Sequence, residues 1–178
     1  MRMLHLVPLK IINKYIGICS LFEKFFPLDI DAHEQVFITD NQVVGVKAKE
    51  DTFLFRIWKC LDQFEFCRST FDGCHTIYPV WKSVLMVDEI IDMKNRIYVS
   101  DTLILDCQIQ GYENVIPKIF GPYTRLVLHG TITLSQVQRL MRPSVKHVRI
   151  NARLQIEPAE YDDFVRLVVN HIRSVEYT

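Results

Sequence analysis

The chain has 178 residues, 49% of them hydrophobic and 24% charged, with 21 basic side chains against 21 acidic ones. Such a composition can bury a core, which excludes intrinsic disorder. It offers no basic surplus for a phosphate backbone, and only 6 glycines and 7 prolines, too few for collagen-like or linker sequence. One domain, with at most an appendage, is the size class.

The five cysteines are Cys19, Cys60, Cys67, Cys74 and Cys107. An odd number in a chain with ample core material reads as reduced thiols rather than a disulfide framework, and points to a cytoplasmic or nuclear protein. The segment Met1–Leu9 is apolar but short, with Lys10 and Lys14 close behind, and does not read as a signal peptide. No run approaches the roughly 18 apolar residues of a membrane span, so membrane partners are not expected.

Taken in chain order, residues 1–30 read as an apolar helical segment. Ile11, Ile12, Tyr15, Ile16 and Cys19 fall at helical spacing after Pro8. That face is either core or a surface for a partner. Residues 35–49 predict two short paired strands, Val36 and Ile38 on one side of an Asp40-Asn41 turn and Val44 and Val46 on the other. Phe53, Phe55, Ile57 and Trp58 fit strand or helix equally. Residues 60–80 read as irregular, with a short strand over Thr76–Tyr78. Trp81 to Met93 predicts a helix with Val84, Leu85, Ile90 and Ile91 as its apolar set.

An internal repeat begins at Asp101. DTLILDCQI (101–109), TRLVLHGTI (124–132) and KHVRINARL (146–154) share one apolar pattern. Leu103, Leu105 and Ile109 recur as Leu126, Leu128 and Ile132, then as Val148, Ile150 and Leu154, a period of roughly 22 residues. Each segment precedes a helix-like run. Val115, Ile116, Ile119 and Phe120 follow the first, closed by Gly121-Pro122. After the second, Thr133-Leu134-Ser135-Gln136 is a capping box, with Val137, Leu140 and Met141 facing inward and Pro143 as the stop. After the third, Pro158 opens a turn rich in Glu157, Glu160, Asp162 and Asp163, and Phe164, Leu167, Val168 and Ile172 form a stripe expected to be buried.

Strand–helix units at this period imply parallel strands that stack because none can bury its apolar face alone. The expected architecture is α/β: degenerate leucine-rich-repeat-like units at the C-terminal end, preceded by a mixed α+β segment and an N-terminal helix. The alternative is a small α/β sheet with the same strand order, since Gln108, Thr131 and Arg153 stand where the usual repeat has a buried Asn or Cys. Strand alternation then predicts two columns across the sheet, Ile104, Val127 and Arg149 in one and Asp106, His129 and Asn151 in the other. These six residues are the candidate partner-binding positions, unless they are merely solvated or, for Ile104 and Val127, covered by another layer.

Catalytic signals are sparse. Cys60, Cys67, Cys74 and His75 resemble a metal cluster, but gaps of seven residues and an adjacent Cys-His pair do not suit a tetrahedral zinc site, so no metal or cofactor is expected. Nucleophile, zincin, phosphate-loop and dinucleotide motifs are all missing. A Cys/His pair remains the enzymatic alternative. Arg139, Arg142, Lys146, Arg149 and Arg153 make a local basic run without stacking aromatics, which reads as a surface paired with the acids at 157–163 rather than a nucleic-acid site.

The stretch FLFRIWKCLDQFEFC and the C-terminal SVKHVRINARLQIEPAEYDDFVRLVVNHIRS give residues 35–178 a cadence that resembles the F-box-associated domains of the large nematode F-box protein families. The resemblance implies a division into residues 1–30, a possible F-box remnant, and residues 31–178, the associated domain. It implies a non-catalytic substrate-recruiting subunit of a cullin–RING (SCF-type) ubiquitin ligase. Its partners would be a protein substrate and the ligase adaptor, the latter contacted through Pro8, Leu9, Ile12 and Ile16. The departure is at the N-terminus, where there is no room for a complete three-helix F-box before the strand at Val36. The alternative is a stand-alone interaction or structural protein with no ligase link.

Overall fold

A computed structural model of the chain describes residues 30–50, Ile57 and 83–174. The expectations for residues 1–29, for Phe53, Phe55 and Trp58, and for the segment 60–80 lie outside these. The described residues form an α/β fold with a seven-stranded sheet in which every pairing is parallel.

In chain order the elements are β1 (Ile30–Thr39), α1 (Gln42–Lys49), β2 (Val84–Met86), α2 (Val87–Asp92), β3 (Arg96–Cys107) and α3 (Ile109–Val115). They continue with β4 (Ile119–Phe120), β5 (Arg125–Thr133), α4 (Leu134–Leu140), β6 (His147–Ile150), β7 (Arg153–Gln155) and α5 (Tyr161–Ser174). The main strand order is β2-β1-β3-β5-β6, with β4 beside β3 and β7 beside β5. The two apolar positions at the start of each repeat stand in register: Leu103 opposite Leu126 opposite Val148, and Leu105 opposite Leu128 opposite Ile150. Ile132 and Leu154 pair further along. Ile109 departs from the pattern because it opens α3 instead of extending a strand.

The strand order reverses at β1. The chain moves from β1 outward to β2, then returns past β1 to β3 and onward. Right-handed crossovers therefore put α1 on one face and α2, α3 and α4 on the other. The packing agrees. On the back face Val36, Ile38, Leu103, Leu105, Leu126 and Leu128 form one cluster with Val87 and Ile90 of α2, Tyr112 and Val115 of α3, and Val137 and Leu140 of α4. On the front face Gly45 of α1 backs onto Met86 and Thr39, which are themselves in register.

Three local expectations are corrected. Val44 and Val46 lie in α1 and not in a second hairpin strand. β1 pairs in parallel on both sides, so the chain cannot hairpin back, and Asn41 caps a helix by accepting from the Val43 and Val44 amides at 3.0 and 3.3 Å. Val84 and Leu85 belong to β2 rather than to a helix, which begins only at Val87. A three-residue apolar run is too short for periodicity to decide. The stripe on α5 is not buried: Leu167 packs against the core and Phe164 is half-buried, but Val168 is 40% exposed, and the Ile172 side chain lies outside the described ones. α5 is the last described helix, with no further unit among the described residues to cover its outer side.

Other expectations hold. Thr133 and Gln136 form the capping box, with the Gln136 amide donating to Thr133 at 3.4 Å and the Thr133 amide donating to the Gln136 side chain at 3.1 Å. The buried Gln136 side chain then donates to the Ile109 carbonyl and to Glu113, and Glu113 accepts from Arg139 at 2.7 Å. The cap of α4 is thus also its link to α3. Glu157 and Glu160 cap the turn at Pro158.

Two buried tyrosines tie helices to their neighbours, Tyr112 of α3 to β5 and Tyr123 of the loop before β5 to α4. The Tyr112 hydroxyl donates to the His129 carbonyl at 2.7 Å and lies 3.2 Å from the Leu105 carbonyl; Tyr123 donates to the Leu140 carbonyl at 2.7 Å. Burial pushes the Tyr123 hydroxyl up to about 12 and Tyr112 higher still, so both remain donors. Tyr112→Phe removes the buried donor to the His129 carbonyl and is expected to cost about 1–3 kcal/mol by urea denaturation. Lys118 closes α2 by donating to the Ile90, Ile91 and Met93 carbonyls, a cation at the negative end of the helix.

Candidate functional site

The front face carries the odd-numbered residues of β5 and β6 and the even-numbered residues of β3, because Leu103 and Leu105 of β3 and Leu126, Leu128 and Ile132 of β5 are buried on the back. The two expected columns exist. Phe37, Ile104, Val127 and Arg149 stand side by side across four strands. In the next row Thr39, Asp106 and His129 are adjacent, and the Asn151 amide donates to the Leu128 carbonyl at 2.8 Å, placing Asn151 beyond β6 in the same direction.

The row is not uniformly exposed. Ile104 is 0% and Phe37 2% exposed, and Gln35, Thr39 and Thr102 are buried beside them. Ile104 is therefore a core residue and not a partner-facing one. The strand reversal gives the front face a covering helix on the β1 side, which a simple stack of repeats would lack. From β5 onward the face opens: Val127, His129 and Arg149 are half-buried and Asn151 is exposed. The Arg149 Nε donates to the Asn151 side-chain Oδ1 at 3.3 Å.

Asp106 and His129 are register neighbours with opposed shifts. Desolvation raises the Asp106 carboxyl above its ordinary range, with His129 pulling it back and Asp40 adding to the rise. Desolvation lowers His129, opposed by Asp106 and reinforced by Arg149. The Asp40 carboxylate beside them accepts from the Gln108 amide at 2.6 Å, holding β1 to the start of α3. Cys107 is buried, its thiol donates to the Ile38 carbonyl at 3.7 Å, and burial pushes its pKa far up. Its side chain belongs to the cluster on the back of the sheet, opposite the face that carries His129. Among the described residues no group of three His, Cys, Asp or Glu side chains could hold a metal ion. Cys19, Cys60, Cys67, Cys74 and His75, and the adaptor-facing Pro8, Leu9, Ile12 and Ile16, lie outside the described residues.

His33, on β1, is a second half-buried histidine. Its Nδ1 is 3.0 Å from the Ser83 hydroxyl and its Nε2 is buried without a partner. Desolvation lowers its pKa, with Asp31 opposing. A base held below its unfolded value of 6.5 stays neutral in the fold while the unfolded chain takes up a proton. His33 and His129 therefore favour the folded state fully above that pH and lose the contribution as pH falls through it. Urea midpoints are expected to decline from pH 7.5 to 5.5, and His33→Gln should flatten the decline. The raised Asp106 acts in the opposite sense, gaining stability on protonation nearer the carboxylate range.

The basic run is divided by the fold. Arg139 pairs with Glu113, not with the acids at 157–163. Arg142 donates to the Ile119 carbonyl and lies over the Tyr123 ring, 5.6 Å from its centre. Arg149 and Arg153 lie on β6 and β7 in odd register with Arg125 and His147. The front-face residues missed by sequence reading, Arg125, Thr131, His147, Arg153 and Gln155, were marked by the same alternation that marked Val127 and His129.

No family model matches the chain, and no curated protein or solved structure matches it. No helix among the described residues is long and apolar enough to cross a membrane.

Proposed function

We propose that the chain is a non-catalytic protein-binding module whose partner meets the open half of the sheet face, at Val127, His129, Arg149 and Asn151 beside Asp106. The observation that supports this reading most directly is the register itself. Side chains from three parallel strands are aligned in two rows on a platform whose back is packed behind β3 and β5, so their positions are set before a partner arrives. A rigid face of this kind lowers the ordering cost of binding. The regular spacing of Leu103, Leu126 and Val148 supports treating residues 101–154 as leucine-rich-repeat-like units, with the reversal at β1 as a departure.

The resemblance to F-box-associated domains extends the proposal to substrate recruitment for a cullin–RING ligase, with residues 1–30 toward the adaptor. The purified full chain, titrated against the adaptor by calorimetry, tests the extension. Binding that is lost in Ile12→Asp and Ile16→Asp supports a ligase role. A folded chain that does not bind leaves a recognition module with no ligase link.

A further inference from the structure

Strands β5, β6 and β7 contain Arg125, His129, His147, Arg149 and Arg153 and not one carboxylate. All five basic residues stand in odd register, on the front face, while the even positions supply the core. A chain with no net charge has thus gathered three arginines and two histidines on one sheet face, with Asp106 of β3 beside His129. Asn151 and Gln155 share that register, and no aromatic residue stands in these strands to stack on a base. At the outer side of β6 no strand pairs among the described residues, so its backbone groups form an open edge. Self-pairing is disfavoured there. Antiparallel alignment of two copies of β6 sets Arg149 against Arg149 or His147 against Arg149, which repel.

We propose that this edge accepts an extended, acidic segment of a partner protein as an added strand. The inference rests on the protein-binding reading of the same face and names the chemistry of its partner. Strand alternation dictates the pattern of that segment. Side chains on its front side meet His147, Arg149 and Arg153 and should be carboxylates. Those on its back side land beside Ile150, which is 37% exposed, and Leu154, and should be apolar.

A labelled short peptide of alternating Glu and Val, titrated into the full chain by fluorescence anisotropy, tests this against a Lys–Val peptide and single-stranded oligothymidine. The Glu–Val peptide should bind with a Kd on the order of 10 µM at about 50 mM salt, weakening about fivefold at about 300 mM. Arg149→Glu and Arg153→Glu, and the milder Arg149→Gln, should each weaken it, the charge reversals by about tenfold. Amide exchange at 147–150 should slow on binding, as strand addition requires. Equal binding of the Lys–Val peptide, tighter binding of oligothymidine, unchanged exchange at β6, or indifference to the arginine variants overturns the inference. So does the lack of saturable binding, and the module reading is then judged separately by the adaptor titration.

Discussion

Ile104→Asp is expected to abolish folding, whereas Val127→Asp, one strand away in the same row, should leave a folded protein. Ile104 is 0% exposed and flanked by the buried Phe37 and Thr102, so an aspartate there is an ionised group without water or a partner. The lost apolar burial costs about 2–3 kcal/mol, and a buried unpaired carboxylate costs several more. Together these approach the total stability of a domain, about 5–15 kcal/mol. Val127 is half-buried at the open part of the face, where a carboxylate stays hydrated and the cost falls to about 1 kcal/mol. Circular dichroism and urea denaturation of the two variants separate the outcomes. A well-folded Ile104→Asp would mean that the front face is open across its whole width, as a plain stack of repeats would have it.

Gly130→Ala is expected to cost about 3 kcal/mol or more and lower the urea midpoint by about 1 M or more. Gly130 has φ near +80°, and a Cβ there would run into the Cys107 carbonyl oxygen in the paired strand. Neither problem can be relieved by a rotamer change, because the obstacle is backbone. The position carries the fold: before it β5 pairs with β6, after it with β7. Gly45→Ala is the control. Its Cβ would meet the flexible Met86 side chain, the backbone is ordinary helix, and alanine favours a helix over glycine by about 1 kcal/mol. A substantially smaller loss there ties the Gly130 effect to backbone conformation and not to loss of a glycine as such.

The strand–helix units of the C-terminal half were legible because local chemistry and tertiary packing agree in them. Leu103, Leu126 and Val148 recur at a spacing that one strand, one helix and two turns consume, and their register in the sheet follows from that spacing. The capping box at Thr133 was readable for the same reason: both of its bonds are made within one turn of chain. The errors lie where a short segment is governed by a distant neighbour. Val44 and Val46 alternate like a strand, yet parallel partners on both sides of β1 remove the option of a hairpin. The α5 stripe is periodic, yet periodicity does not say whether a neighbour exists to cover it.

The candidate site divides in the same way. The amino-acid pattern determined which side chains share a face, since alternation along a strand is a property of the extended backbone alone. It was enough to align Val127 with Arg149 and Asp106 with His129. Which part of that face meets solvent was decided only by the tertiary structure. The reversal at β1, together with the right-handed crossover, puts α1 on the front beside Thr39 and Met86 while the other crossover helices lie behind. Burial depends on what arrives from elsewhere in the chain. For that reason Ile104 and Val127, alike in sequence pattern, differ in the fold: one belongs to the core and the other to the surface.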